Sequence, residues 1–210
     1  MNKKKIPSKF ILPLIAASSV MRKEKLFKEF LHLAKEKRIN SKKIYEVILQ
    51  SYLFAGFPSV LVTLKIFSEY FPSVKSKNKT SSYSEIKKRG VITCKKIYGD
   101  KYEKLIENVD SISPELAEWL VSEGYGKVLS RNQLSLKDRE IAIVAMLAVL
   151  KFDEQLYSHI NGACRLGIKS TFISELIDAL KILGNKSYST FGKKVLNDFI
   201  NKKKSKSISV

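Results

Sequence analysis

The chain has 210 residues, 44% of them hydrophobic and 28% charged, a composition typical of a folded globular protein and not of a disordered chain. Its formal net charge of +19 raises the question of a nucleic-acid partner, but only six of its 39 basic residues are arginines and no nucleic-acid-binding motif is present. We therefore interpret the charge as lysines on solvated faces, and expect no specific nucleic-acid partner.

The chain begins with a basic segment followed by an apolar stretch at 11–20, a pattern that imitates a signal peptide. A shift of the sequence by 129 positions, however, aligns about thirty residues from here without gaps to the second half of the chain. Leu14 falls on Ile143, and Ala34 falls on Ala163. Because the apolar stretch aligns with a long apolar run at 141–150, we predict that 10–20 is a retained core helix and one part of an internal repeat.

Each half of the repeat is predicted to form an apolar helix, an amphipathic helix and a third helix that begins at Ser41 or Ser170. In the first half the third helix covers 42–52 and stops near Gly56 and Pro58, and a further helix follows at 59–70. In the second half the corresponding stop is Gly184, and the later helix covers 188–200.

The segment between the halves is less regular. Residues 73–84 are polar and rich in Lys and Ser, which favours a mobile linker, and two short helices follow at 85–98 and 102–109. Ser113 and Pro114 begin another helix, which we expect to bury Leu116, Trp119 and Leu120 and to end at Gly124.

The apolar run at 141–150 is the centre of the second half. Ser135 caps its helix, and ten consecutive apolar residues predict a helix that is buried on every face. At 1.5 Å per residue this run spans roughly 15 Å, which is too short to cross a bilayer. A second helix at 155–166 carries His159 and ends at Gly167.

These elements predict an all-α protein with four parts: a first helical repeat at 1–72, a linker with short helices at 73–110, a second repeat at 111–200 and a frayed basic tail at 201–210. Two cysteines, Cys94 and Cys164, show no metal-ligand or disulfide spacing. We expect buried thiols, no metal, no cofactor, no membrane and a cytoplasmic location.

The second half resembles the carboxymuconolactone decarboxylase family, which is related to the alkyl-hydroperoxidase-D-like proteins. The residues that carry the resemblance are Leu134, Leu136, Arg139, Glu140, His159, Ala163, Gly167, Ser170 and Glu175, with Trp119, Tyr125, Gly126 and Arg131 upstream. The resemblance covers most of the chain. It implies an alkyl-hydroperoxidase-D-like helical bundle of two related halves, and a homo-oligomer.

Glu140 and His159 are the first candidate catalytic pair, because they keep the interval of a Glu and a His in the peroxidase-type relatives. A carboxylate beside an imidazole orients the ring and makes a general base. In straight antiparallel helices the two residues lie roughly 7 Å out of level, so geometry alone does not predict contact. In the alternative, Glu140 stabilises the helix dipole and His159 is a core residue.

The peroxidase-type relatives have a Cys-x-x-Cys pair before the histidine, and this chain has Phe152 and Gln155 at those positions. The dithiol peroxidase mechanism is therefore excluded. For the decarboxylase-type reaction we predict that Arg139 and Arg131 bind the substrate carboxylate and that Tyr125 and Trp119 line the pocket. The alternative pairs Arg139 with an acid and places the aromatic residues in the core.

The first half has Ile11 and Phe30 at the positions of Glu140 and His159, which predicts one active half and one structural half. The function that we expect is a cofactor-independent lyase or proton-transfer enzyme acting on a small carboxylated or lactone substrate. A catalytically inactive family member that serves as a binding or scaffold protein is the alternative. Peroxidase-type activity and nucleic-acid association are weaker possibilities.

Overall fold

The computed structural model describes residues 6–74 and 81–208, and within these ranges every regular element is a helix. The predicted all-α class is confirmed. The helices are α1 (Ile11–Val20), α2 (Glu24–Glu36), α3 (Ser41–Gln50), α4 (Tyr52–Tyr70), α5 (Tyr83–Tyr98), α6 (Tyr102–Asp110), α7 (Pro114–Trp119), a π-helix (Leu120–Leu129), α8 (Leu136–Leu150), α9 (Asp153–Arg165), α10 (Ser170–Ala179) and α11 (Lys186–Ile208).

Helices α1 and α8 form the centre of the molecule and pack against each other. Nine of the ten residues of α1 and ten of the fifteen residues of α8, including all of 142–149, are buried, as expected for apolar runs that face the core on every side. Around them, α2, α3 and α4 contact α1, whereas α9, α10 and α11 contact α8. The N-terminal apolar stretch at 11–20 is α1, so it is a core helix of this fold.

The predicted cap of α8 is present, because the Ser135 hydroxyl accepts a hydrogen bond from the Asp138 amide at 3.1 Å.

The two halves repeat each other in detail. A shift of 129 positions places the printed bounds of α2 on those of α9, and the bounds of α3 on those of α10. It also superposes residues with left-handed backbone: Arg22 (φ 55°) falls on Lys151 (φ 61°), and Arg38 (φ 54°) falls on Gly167 (φ 86°). Such φ values are uncommon outside glycine, so their recurrence at equivalent turns indicates the same chain path in both halves. Two related helical halves are thus present.

The segment between the halves packs onto the second half. Helix α5 lies along the π-helix and also contacts α9. Two glycines permit the close approach of α5 to the π-helix. A Cβ atom on Gly90 would lie 2.0 Å from the Val121 carbonyl oxygen, and one on Gly126 would lie 2.4 Å from the Ile86 carbonyl oxygen. No side chain fits at either position.

The helix that begins after Ser113 differs from its prediction. It does not end at Gly124, because α7 continues directly into the π-helix as far as Leu129. Leu116 and Trp119 are also not buried, since their exposed fractions are 51% and 55%. The face that this helix buries is instead the one that carries Ala117, Val121 and Tyr125. These three residues are spaced by four, so they share one side of the helix.

Smaller differences concern the segment ends. The predicted stop at Gly56 is a kink within α4, where Gly56 has φ 73°. The predicted frayed tail at 201–210 is helical to Ile208, and residues 209–210 lie outside the described residues. Of the predicted linker at 73–84, residues 75–80 lie outside the described residues, and α5 begins at Tyr83.

Among the described residues, no single helix has both the length and the hydropathy to cross a bilayer. Helices α3 and α4 reach these values only when taken together, and they are bent by 116° relative to each other.

We predict that Gly90→Ala destabilises the protein by roughly 1–3 kcal/mol, because the added methyl group collides with rigid backbone of the π-helix. Gly124→Ala is the matched control in the π-helix itself, since a Cβ atom there has no neighbour within 4 Å. The control should be neutral or stabilised by about 0.5–1 kcal/mol. Urea unfolding of both variants measures the difference, and equal midpoints would contradict the close contact between α5 and the π-helix.

Candidate functional site

Glu140 and His159 are in direct contact. The Nδ1 atom of His159 lies 2.9 Å from Oε2 of Glu140, and the two side chains are buried, with 10% and 0% of their surfaces exposed. The contact that spacing along straight antiparallel helices could not predict is therefore present. Helices α8 and α9 bring the carboxylate and the imidazole together without a bridging group.

Gly162 makes this contact possible. It follows His159 by three residues on α9, so it lies on the same side of the helix. A Cβ atom on Gly162 would lie 2.9 Å from Oε2 of Glu140 and 2.7 Å from Cγ2 of Ile97. Because glycine has no side chain, the Glu140 carboxylate lies directly against α9, with α5 on its other side.

Two aromatic rings flank the imidazole. The ring of Tyr98, at the end of α5, lies 6.5 Å from that of His159, and the ring of Phe54, in α4, lies 6.3 Å from it. Both are steeply inclined to the imidazole, by 72° and 74°. The Tyr125 hydroxyl donates a hydrogen bond of 3.3 Å to the Tyr98 hydroxyl. Tyr125, a predicted pocket residue, thus reaches the site through Tyr98, which the sequence interpretation had not selected.

The environment keeps these phenols and the nearby thiol protonated. Burial raises the pKa of Tyr98 and Tyr125 above the ordinary value of 10, and the negative charge of Glu140 adds to the effect. Burial, with a further contribution from Glu140, raises the pKa of Cys94 to about 12. Cys94 is therefore a neutral core residue and not a nucleophile.

The second oxygen of the carboxylate has no partner. Oε1 of Glu140 is buried and makes no hydrogen bond with any described residue. Leaving a buried acceptor unsatisfied costs about 1–3 kcal/mol. A site with such a cost next to an imidazole is unusual for a purely structural core, where buried polar groups are normally paired.

Arg139 and Arg131 form a separate cluster around Glu46. Nη2 of Arg139 donates to Oε2 of Glu46 at 2.8 Å and Nη1 donates to Gln50 at 3.1 Å, and Arg131 also donates to both oxygens of Glu46. The Arg139 side chain is only 1% exposed. This is the alternative in which Arg139 pairs with an acid. The predicted contact with a substrate carboxylate is not accessible in this structure.

The remaining predicted positions do not join the site. Trp119 is exposed on α7, and Phe152 and Gln155 are exposed at the start of α9. No group of three or more His, Cys, Asp or Glu side chains among the described residues could hold a metal ion. The constellation that the structure assembles therefore consists of Glu140 and His159 with Tyr98, Tyr125 and Phe54.

The first half provides an internal comparison. By the shift of 129 positions, Glu140, His159 and Gly162 correspond to three buried apolar residues of α1 and α2. These are Ile11, Phe30 and Leu33, with exposed fractions of 0%, 1% and 7%. The same helical arrangement is thus filled by hydrocarbon in one half and by an ionisable pair in the other. The fold of the unit does not require the polar residues.

Comparison with known proteins gives a distant relative. No family model matches the chain. It is similar to Peroxisomal protein 2 of Schizosaccharomyces pombe, with 28% identity over 129 residues. The aligned region covers 60% of this chain and 61% of the length of that relative. The name of the relative refers to a compartment and not to an activity.

We predict that Glu46→Gln destabilises the protein by about 3–5 kcal/mol, because it leaves the buried guanidinium of Arg139 and the half-buried guanidinium of Arg131 without their carboxylate. Glu175 is the matched control, since it is the repeat counterpart of Glu46 but forms an exposed ion pair with Lys9. Glu175→Gln should cause little or no change. Denaturant unfolding measures both, and a small effect of Glu46→Gln would show that the cluster is dispensable.

Proposed function

We propose that the protein is a cofactor-independent proton-transfer enzyme for a small substrate, and that His159, held by Glu140, is its general base. The observation that carries this proposal is the buried 2.9 Å contact between Nδ1 of His159 and Oε2 of Glu140. A carboxylate and an imidazole in this arrangement form the orienting part of many acid–base sites.

We assign different roles to the two imidazole nitrogens, in the tautomer that carries its proton on Nδ1. With Nδ1–H donating to Glu140, the lone pair of Nε2 is free to accept a proton from a substrate. The Glu140 carboxylate then stabilises the imidazolium that forms. Since Glu140 is fully buried, water screens this interaction weakly. The proton can afterwards return from Nε2 to the substrate or to water.

The internal repeat supports a functional role for this pair. Burying a carboxylate and an imidazole is costlier than burying Ile11 and Phe30, which fill the equivalent positions in the first half. Because the hydrocarbon solution is present in the same chain, stability alone does not account for Glu140 and His159. Catalysis gives a reason for the difference.

The resemblance to the carboxymuconolactone decarboxylase family supports a lyase reaction on a carboxylated lactone. In such a step the bond to the carboxylate carbon breaks, carbon dioxide leaves, and protonated His159 supplies a proton to the carbon that keeps the electron pair. The buried state of Arg139 weakens the part of this hypothesis that concerns carboxylate binding. Proton transfer on a small carbonyl or lactone compound is the part with geometric support.

A binding or scaffold protein is the second candidate, and the surface of the molecule favours it. Phe57 and Leu61 on α4 are each 63% exposed, and Leu116 and Trp119 on α7 are about half exposed. Exposed apolar side chains of this size are typical of surfaces that contact other proteins. A second copy of the chain is the partner that we propose here, in line with the expected homo-oligomer.

We also propose a reducing compartment for the protein. Cys94 and Cys164 are both free thiols in the structure. The cytoplasm is the location that we favour, and the name of the S. pombe relative makes the peroxisome the alternative.

We predict that the protein catalyses solvent-deuterium incorporation into small lactones or carboxylated lactones, as measured by NMR, with carbon dioxide release as a second readout. His159→Ala should lower the rate by about 10²–10⁴, because it removes the base. Glu140→Gln should lower it less. His32→Ala is the matched control, since His32 forms an exposed pair with Glu36 on the equivalent helix of the first half. Equal rates in all four proteins would reject the proposal.

We further predict that a double variant, Glu140→Ile with His159→Phe, folds with equal or greater stability while losing activity. It copies the apolar solution of the first half, and replacing a buried ionic pair by hydrocarbon is often neutral or stabilising by about 1–4 kcal/mol. Thermal and urea unfolding measure the stability. A strong loss of stability in this variant would instead indicate that the pair is structural, and would favour the scaffold function.

A further inference from the structure

We infer that Tyr98 is the hydrogen-bond donor that stabilises an oxyanion at this site, with Tyr125 as its positioning residue, and that the substrate is an uncharged carbonyl compound, such as a ketone or a lactone, which passes through an enolate. This inference rests on the proposed function, because it assigns the partner of the base His159. It identifies the group that stabilises the negative charge that forms on the substrate when His159 removes a proton.

The position of Tyr98 carries the inference. The rings of Tyr98 and Phe54 lie beside His159, with their centres 6.5 Å and 6.3 Å from the centre of the imidazole. Tyr98 is half-buried, whereas Tyr125 is 3% exposed. Of the two phenols, Tyr98 therefore lies next to both the imidazole and the protein surface. A small planar molecule that reaches Nε2 of His159 would meet the Tyr98 side of this site.

The hydrogen bond between the phenols directs the Tyr98 proton. Tyr125 donates its proton to the oxygen of Tyr98 at 3.3 Å, so Tyr98 acts as an acceptor towards Tyr125. The proton of Tyr98 is then available to another acceptor. A hydroxyl that accepts a hydrogen bond becomes a stronger donor, because chains of hydrogen bonds polarise one another.

Both phenols remain neutral donors. Burial raises the pKa of each, so neither loses its proton near neutral pH. Arg131 and Arg139, the predicted carboxylate-binding residues, are engaged elsewhere, since both donate to Glu46. Negative charge that develops on a substrate oxygen would therefore be stabilised by a phenol and not by a guanidinium. The site therefore favours a substrate whose oxygen becomes negatively charged during the reaction, as in an enolate, over a substrate that carries a permanent carboxylate.

Tyr98 and Tyr125 lie on elements that pack against the half of the molecule that contains Glu140 and His159. Helix α5 packs against α9, and its end contacts α9 at Gly162 through Ile97 and at Arg165 through Asp100. In the first half, the counterparts of Gly162 and Arg165 are Leu33 and Glu36, which line an open surface groove. Tyr98 and Tyr125 thus lie beside the half of the molecule that contains the proposed base, His159.

The reaction step is balanced without a further reactant. The proton on the carbon next to the carbonyl group moves to Nε2 of His159, and the electron pair of the C–H bond forms the C=C bond of the enolate. The carbonyl oxygen takes the negative charge and accepts the hydrogen bond from Tyr98. The proton returns to the same carbon or to another carbon of the substrate. Stabilisation by a preorganised donor of this kind is often the largest contribution to such reactions.

4-Nitrophenol is a suitable probe, because its phenolate is a planar oxyanion that mimics an enolate and its absorbance reports its ionisation. We expect the wild-type protein to bind it with its proton transferred to His159. Tyr98→Phe should raise the dissociation constant about 10–100-fold, the range for one hydrogen bond to a charged group. Tyr125→Phe should raise it less, because Tyr125 acts through Tyr98. His159→Ala should shift the bound probe to its neutral form.

Tyr83→Phe is the control, since Tyr83 is an exposed tyrosine on the same helix whose hydroxyl bonds to Glu118. It should bind the probe like the wild type. An unchanged dissociation constant in Tyr98→Phe, or no binding of 4-nitrophenol to the wild type, would overturn the inference. Thermal unfolding of each variant shows whether a change in binding reflects a loss of structure.

The deuterium-exchange assay separates this inference from the proposed function. If exchange depends on His159 but has the same kcat in Tyr98→Phe, the inference fails and the proposed function survives. If 4-nitrophenolate binds through Tyr98 but no exchange depends on His159, the proposed function fails. Tyr98 is then the donor of an anion-binding site without catalysis.

Discussion

The contact between the Glu140 carboxylate and the His159 imidazole is the interaction on which the site depends. A carboxylate without access to water is unfavourable unless another polar group approaches it closely, and among the described residues Nδ1 of His159 is the group that does so. That contact requires a glycine at position 162, since any side chain there would occupy the space of the carboxylate. The approach of α5 to α9, the aromatic rings around His159 and the phenol pair all follow from this arrangement.

The first half of the internal repeat shows how the same core positions are filled without polar side chains. Helices α2 and α3 repeat α9 and α10 with the same bounds, and both halves turn at left-handed residues in equivalent places. Within this shared chain path the two halves differ in the core at the positions of Glu140, His159 and Gly162. One half has filled them with hydrocarbon, which is the solution that packing alone would favour. The other half has the Glu140 carboxylate and the His159 imidazole at these positions, which give it the potential for acid–base chemistry.

The sequence predicted the helices well, because their determinants are local. The cap at Ser135, the apolar run of α8 and the repeat are all readable from residue order. The contacts of the site are not local. Glu46, which binds Arg139, is 93 residues away, and the phenols meet across 27 residues from two different helices. No spacing rule connects such positions, so neither Glu46 as the partner of Arg139 nor Tyr98 as a neighbour of His159 could be identified from the sequence. The exposure of Trp119 has a similar origin, since a short helix offers two apolar faces and only the tertiary packing chooses between them.

The arrangement of ions in the core also determines how the protein behaves in salt. Inside the protein, Glu46 partly balances Arg131 and Arg139, so the net charge of +19 is carried mainly by lysines elsewhere in the chain. Two copies therefore repel each other at low ionic strength, and added salt screens this repulsion over about 8–10 Å near physiological ionic strength. The self-association that we propose through the apolar side chains of α4 and α7 is therefore expected to strengthen as salt rises. Association with a polyanion weakens under the same change, because it depends on the release of counterions. The direction of the salt effect thus distinguishes a surface that binds its own copies from one that binds polyanions.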